Sequence, residues 1–223
     1  MSTADQASGA TGAQAPVADV PVDEAPLGRE TLHHGVIWDV VSERFTLPGQ
    51  DGTVVREFIE HPGAVGIVAV DSQGRVLLQR QRRQPVHAAL WEIPAGLLDV
   101  AGEPALDTAA RELYEEADLT AARWDVLVDQ YNSPGSSSEA IRVYLARELS
   151  EVPEQERYER SDEELDMPSV WLPLDEAVDA VLSGRVGNPT TVAGVLALAA
   201  NAQADYRYLR PADAPWAARP DRT

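Results

Sequence analysis

The rhythm of apolar and polar positions changes several times along the chain, and each change predicts an element. Residues 1–28 are rich in Ala, Gly, Pro, Ser, Gln and Asp and carry no period, which reads as a disordered tail. From Thr31 alternation sets in. Val36, Trp38 and Val40 alternate with their neighbours through to Leu47, Pro48 to Gly52 supplies a turn, and Val54 to Ile59 makes a return strand. These segments predict a small antiparallel β subdomain over 29–62, ahead of a main domain over 63–205 and a C-terminal tail over 206–223. Ala64 to Val70 is an unbroken apolar run between Gly63 and Asp71, which fits a buried strand. Gly74 then turns the chain into a second strand, Arg75 to Arg80.

Pro104 opens a helix as its first residue, where its missing N–H costs nothing. Leu106, Ala109, Ala110, Leu113 and Ala117 recur at helical spacing and form one apolar face. Glu112 and Glu116 are four apart and share another face, with Glu115 beside them. Like charges at that spacing weaken a helix by a few tenths of a kcal/mol. Arg111 offsets part of the repulsion, and a divalent cation between the carboxylates would remove it, since hard cations favour oxygen ligands. The plain alternative is a solvated acidic face. Beyond the helix, Trp124 to Val128 predicts a strand, Gln130 to Glu139 a polar Gly/Ser-rich loop, and Ile141, Val143 and Leu145 alternate as a further strand. Residues 148–166 are strongly acidic and read as a solvated, mobile segment, with a lid or a source of a further metal ligand as the alternative. Met167 to Leu174 predicts a strand, and Asp175 caps a short helix reaching Leu182. Gly184 to Pro189 breaks that helix, and Thr190 to Ala202 forms a very apolar one suited to covering a sheet.

Composition narrows the chemistry. The 223 residues, 44% of them apolar, suffice for one sizeable core and a small appendage. Net charge is −19 and every basic residue is Arg, which removes Schiff-base chemistry and a phosphate-loop lysine on this chain. Such acidity argues against nucleic acid as a partner. There is no Cys, hence no thiolate nucleophile and no Cys-based zinc site. Apolar runs fall short of membrane-spanning length, so no membrane partner is expected and a cytoplasmic location is the default.

The order Gly96…Glu103…Arg111-Glu112-Leu113-x-Glu115-Glu116 closely resembles the signature box of the Nudix hydrolases: Gly, five residues, Glu, seven residues, Arg-Glu-U-x-Glu-Glu-x-Gly-U, with U aliphatic. Two positions depart from it. Six residues separate Gly96 from Glu103, and Asp118 stands where the family has Gly, so Asp118 has to end the helix in a left-handed conformation. The segment Arg83-x-Pro85 followed by Trp91-Glu-Ile-Pro-Ala-Gly96 resembles the ADP-ribose pyrophosphatase branch.

The resemblance implies an α/β fold, a Nudix-type α/β/α sandwich with a mixed sheet, with the box helix on one face and the C-terminal helices on the other. It implies Mg²⁺ (or Mn²⁺) held by Glu112, Glu116 and the backbone carbonyl of Ala95, with Glu115 and Glu103 either ligating or fixing Arg111 and the loop. It places Arg83 and Glu92 at the substrate, although Glu92 could equally be that arginine's partner. Pro134 and the proposed base Glu139 fall in the loop after the box. Arg111, Glu115 and Glu139 are thus the catalytic candidates. Arg56 joins the substrate-binding candidates, although a solvent-facing strand residue is its simpler reading. The implied reaction is hydrolysis of ADP-ribose to AMP and ribose 5-phosphate by a homodimer whose small N-terminal sheet contributes to the interface. Another nucleoside diphosphate derivative such as a nucleotide sugar, or a non-catalytic nucleotide-binding sensor, are the alternatives.

Overall fold

The computed structural model describes residues 17–159 and 167–217. Three strands, β1 (Gly28–His34), β2 (Asp39–Phe45) and β3 (Val54–Glu60), form an antiparallel sheet in the order β1-β2-β3. β4 (Ala64–Ala69) and β5 (Arg75–Arg83) follow, then β6 (Ala88–Glu92), the short β7 (Ala95–Leu97) and helix α1 (Ala105–Ala117). β8 (Leu119–Tyr131) and β9 (Ala140–Glu151) are the long strands, and β10 (Ser169–Pro173), α2 (Leu174–Leu182), α3 (Pro189–Gln203) and β11 (Arg210–Pro211) complete the order. One sheet runs β10-β5-β6; the other, β11-β8-β9-β4-β7, is mixed, because β4 and β9 are parallel whereas its other pairs are antiparallel.

Strand period explains the layers. On β4, Val65, Ile67 and Ala69 pack with Ala105, Ala109 and Leu113 of α1, whereas Ala64 and Val68 pack with Leu198 of α3. β9 divides likewise, with Tyr144 and Ala146 toward α1 and Ile141, Val143 and Leu145 toward α3. A strand covered on both faces reads as a continuous apolar run, which is why β4 is buried throughout. The result is the expected α/β/α sandwich. α3 comes so close to the sheet that a Cβ on Gly194 would press on Val68, and one on Gly66 would press on Thr190.

Several boundaries differ from the sequence reading. Residues 1–16 of the predicted tail lie outside the described residues; 17–27 carry no helix or strand, and β1 already begins at Gly28. Val36 and Trp38, read as strand positions, belong to the turn between β1 and β2, where Gly35 N donates to Trp38 O at 3.1 Å. A Cβ on Gly35 would overlap that carbonyl, so the turn requires glycine, and its apolar tip mimicked strand alternation. Asp175 does not cap α2; the chain enters from an extended Pro173, with Asp175 in the first turn. Of the acidic segment, 148–151 extends β9, Glu154–Glu156 form a 3₁₀ turn, and 160–166 lie outside the described residues.

The C-terminal segment read as a tail is packed as far as residue 217. β11 pairs with β8, and buried Arg142 donates to the Ala214 and Pro215 carbonyls at 2.7 and 3.1 Å while lying 4.9 Å from the Trp216 ring centroid. The pattern of single apolar residues among Arg, Pro and Asp hid this, because polar bonds from Arg142 anchor the segment.

Candidate active site

α1 carries its carboxylates against β7. A Cβ on Gly96 would overlap the Glu112 carboxyl, so only glycine lets β7 pass under this side chain. One residue earlier, Ala95 N–H donates to Glu116 Oε2 at 3.1 Å. Glu112 and Glu116, one helical turn apart, therefore both face the Ala95-Gly96 backbone. α1 ends as the sequence required: Asp118 is left-handed at φ 54, ψ 36, and its N–H reaches the Leu113 and Tyr114 carbonyls.

Arg111 sits among the acids. Its Nε and Nη2 donate to Glu103 at 3.3 and 3.1 Å, and its Nη1 donates to Glu112 at 2.8 Å and to Glu115 at 3.3 Å. Hydrogen bonding to Glu103 is the chief reason the guanidinium is held charged well above its ordinary value, against the opposing effect of burial. In return Arg111, and then the Thr108 hydroxyl at 2.8 Å, hold the Glu103 carboxyl below the usual carboxylate range. The Glu103 side chain thus contacts both Arg111 and Thr108.

Glu139 lies in the loop just before β9, away from α1 in the sequence. Asn132 Nδ2 donates to Glu139 Oε2 at 2.7 Å, and His61 Nε2 lies 3.8 Å from Oε1. The Ser136–Ser138 loop is zipped to the end of β3: Ile59 N donates to Ser136 O, Ser138 N donates to Ile59 O, and His61 N donates to Ser138 Oγ, each at 2.9 Å. In the mixed sheet Ala64 pairs with Leu97 on one side and Ile141 on the other. β7 and the first residues of β9 are thus separated by two strand spacings, about 10 Å. That register puts the start of β9 and β7 on either side of β4 in one sheet.

The remaining candidates divide into two groups. Arg56 and Pro134 line one cavity of about 360 Å³ together with Glu57, Phe58, Ser137 and Ser138. Arg56 is an exposed β3 residue whose Nη1 donates to the Val55 carbonyl at 2.8 Å. Arg83 and Glu92 are paired across β5 and β6, with Arg83 Nη2 2.7 Å and Nε 3.0 Å from the carboxylate oxygens. The Glu92 side chain is 6% exposed and that of Arg83 40%, so the acid serves the arginine and the arginine faces outward. Among the described residues β10 pairs with β5 over Arg75–Gln79, and Arg82 and Arg83 pair with β6.

His61 and Asn132 escaped the sequence reading. In the sequence His61 simply precedes the Gly63 boundary of the apolar run, and Asn132 is one polar residue among several in a loop. Nothing local marks either one, since their partner Glu139 is 78 and 7 positions away.

A NUDIX domain model matches residues 60–192, more than half of the chain. The chain belongs to the NUDIX family. Among relatives of this NUDIX chain, the ADP-ribose pyrophosphatase of Mycobacterium tuberculosis (strain ATCC 25618 / H37Rv) is 46% identical over 198 residues, covering 89% of this chain and 93% of the other. The ADP-ribose pyrophosphatase of Bacillus subtilis (strain 168) is 35% identical over 170 residues, covering 76% and 89%. A solved structure described as an ADP compounds hydrolase superposes with a TM-score of 0.68 at 21% identity, covering 82% of this chain and 96% of that one, which shows that the NUDIX fold is shared.

Proposed function

We propose that the chain is a pyrophosphohydrolase that cleaves ADP-ribose to AMP and ribose 5-phosphate with a divalent cation, Mg²⁺ or Mn²⁺, as cofactor. The observation that carries this reading is the convergence of Glu112 and Glu116 on the glycine-thinned Ala95-Gly96 backbone. The names of the two pyrophosphatase relatives support the substrate. Among the described residues no three acidic or imidazole side chains form a closed metal cage. Mg²⁺ does not need one. It is commonly held by one or two carboxylates together with substrate phosphates and water. Glu112, Glu116 and the Ala95 carbonyl supply hard oxygen donors of that kind. When bound, the cation neutralises phosphate charge and acidifies the attacking water.

The chain's own residues do the rest. Arg111 holds Glu112 and Glu115 in place, Glu103 holds Arg111, and the Thr108 hydroxyl holds Glu103. Glu139, on separate elements, takes the proton of the attacking water, a role worth roughly 10²- to 10⁴-fold in rate. Arg83, steadied by Glu92, turns its half-exposed guanidinium to a phosphate. Arg56 and Pro134 border the cavity assigned to another part of the nucleotide.

Residues 29–62 serve in this reading as the contact of a homodimer, with 63–205 as the catalytic unit. The support is an exposed apolar group on the small sheet and its turn, Leu32, Val36, Ile37, Trp38 and Val55. A cytoplasmic setting, where nucleotide substrates are made and used, goes with it. Incubation with ADP-ribose and Mg²⁺, with an EDTA control and chromatographic resolution of products, tests the reaction. AMP and ribose 5-phosphate that disappear with EDTA are expected. Turnover of a nucleotide sugar in place of ADP-ribose would move the substrate, and saturable binding without turnover would make the chain a sensor.

A further inference from the structure

We propose that His61 and Asn132 are positioning residues for the Glu139 carboxylate, His61 as a fixed Nε2–H group facing Oε1 and Asn132 as the anchor of Oε2; this rests on the reading of Glu139 as the base. The argument starts with the turn after β3. Gly63 adopts φ +88, a conformation natural to glycine, and its N–H donates to His61 Nδ1 at 3.1 Å. An Nδ1 that accepts a hydrogen bond carries no proton, so the proton of the neutral ring sits on Nε2. Protonating Nδ1 would set two donors against each other. With Nδ1 taken by Gly63 N–H, the Nε2 side of the ring faces Glu139.

The same turn fixes where that direction points. His61 N–H donates to Ser138 Oγ, one residue before Glu139, so backbone and ring both register on the Glu139 loop. Space around Gly63 is tight, since a Cβ there would lie 3.2 Å from Ala140 O and 3.4 Å from Leu98 Cδ1. Gly63 O also accepts Leu98 N–H at 3.1 Å, tying the turn to the chain just after β7. The two side chains are only 12% and 20% exposed. At 3.8 Å the His61–Glu139 contact is longer than a direct hydrogen bond. Catalytic contacts of this kind commonly tighten once substrate is bound. Meanwhile Asn132 holds Glu139 twice, its Nδ2 on Oε2 at 2.7 Å and its N–H on the Glu139 carbonyl at 3.1 Å. A glutamate otherwise rotates freely about its side-chain bonds. Held at one oxygen and faced at the other, it keeps its carboxylate in a single plane.

Steady-state hydrolysis of ADP-ribose by the full chain tests this with a pair of near-isosteric variants. His61→Ala lowers kcat by about 10- to 100-fold, the cost of a misplaced catalytic group, with KM changed by less than about threefold. His61→Gln places an amide N–H2 near the Nε2 position and regains most of that loss. His61→Asn offers an amide oxygen to Gly63 N–H but does not reach Glu139, and stays impaired. The reverse order, rescue by Asn and not by Gln, would show a purely structural turn residue and overturn the proposal. If His61→Ala fails to fold, the Gln and Asn variants carry the test alone. The Glu139→Gln background separates the two readings. Loss of any further effect of His61→Asn there supports positioning through Glu139, whereas losses that multiply sink the positioning role and leave the base intact. Parent-level turnover by Glu139→Gln itself would sink the base reading instead.

Discussion

The carboxylates of α1 and the carboxylate of Glu139 are held by opposite means. Glu112 and Glu115 crowd one guanidinium, and Glu116 is drawn to the Ala95 N–H, so this region is an ionic cluster on a single rigid helix. Glu139 instead lies between an amide and an imidazole, at a site gathered from two places in the chain, the loop before β9 and the turn after β3. The first group is fixed mainly by charge on one helix, the second by hydrogen-bond geometry drawn from separate parts of the chain.

That contrast makes graded predictions. The largest effect belongs to Glu139→Gln, which should cut turnover by about 10²- to 10⁴-fold while calorimetry still finds nucleotide and metal binding. Collapse of binding would erase the distinction between the two regions. Glu116→Gln should lower the rate by about 10³-fold, equivalent to several kcal/mol of lost charge stabilisation, and should raise the divalent cation concentration needed for half-maximal activity. An unchanged metal titration would remove Glu116 from the metal site. Gly96→Ala should cost about 10²-fold in rate by pushing the Glu112 carboxyl aside, together with about 1–3 kcal/mol in thermal unfolding from overpacking.

The smallest effect sharpens the ionic side alone. Arg111, followed by Thr108, lowers the folded-state pKa of Glu103. A depressed carboxyl pKa stabilises the fold above the unfolded value, and this contribution is lost as pH falls through the folded value. Glu103→Gln should therefore cost up to about 1 kcal/mol near neutral pH, the scale of a part-exposed pair. The gap to the parent chain should close in acid, as followed by thermal unfolding from about pH 7 to about pH 3. A gap that stays constant would mean that the Glu103 charge does not matter.

Legibility followed distance along the chain. The α1 face could be read directly, because residues four apart on a helix are neighbours whatever the rest of the chain does. The left-handed Asp118 was equally local. The Arg83–Glu92 pair was half legible: both residues were singled out, but only the tertiary structure showed the long arginine reaching along the β5–β6 ladder to a buried acid. Apolar alternation failed at Val36–Trp38, where a glycine turn exposes its tip, and composition failed at 206–217, where Arg142 anchors the segment by polar bonds.

By itself, then, the sequence determined the box helix, its carboxylate face, the apolar strand at the centre of the sheet and an acidic, arginine-only chemistry. Those are properties of short spacings and of totals. Tertiary structure alone decided that β4 lies between β7 and β9, and that β3 is zipped to the Ser136–Ser138 loop. From the second pairing comes the place of Glu139 between His61 and Asn132. The physical reason is that backbone hydrogen bonds between distant strands carry no side-chain signature, so their register is set only when both faces of the sheet are buried together.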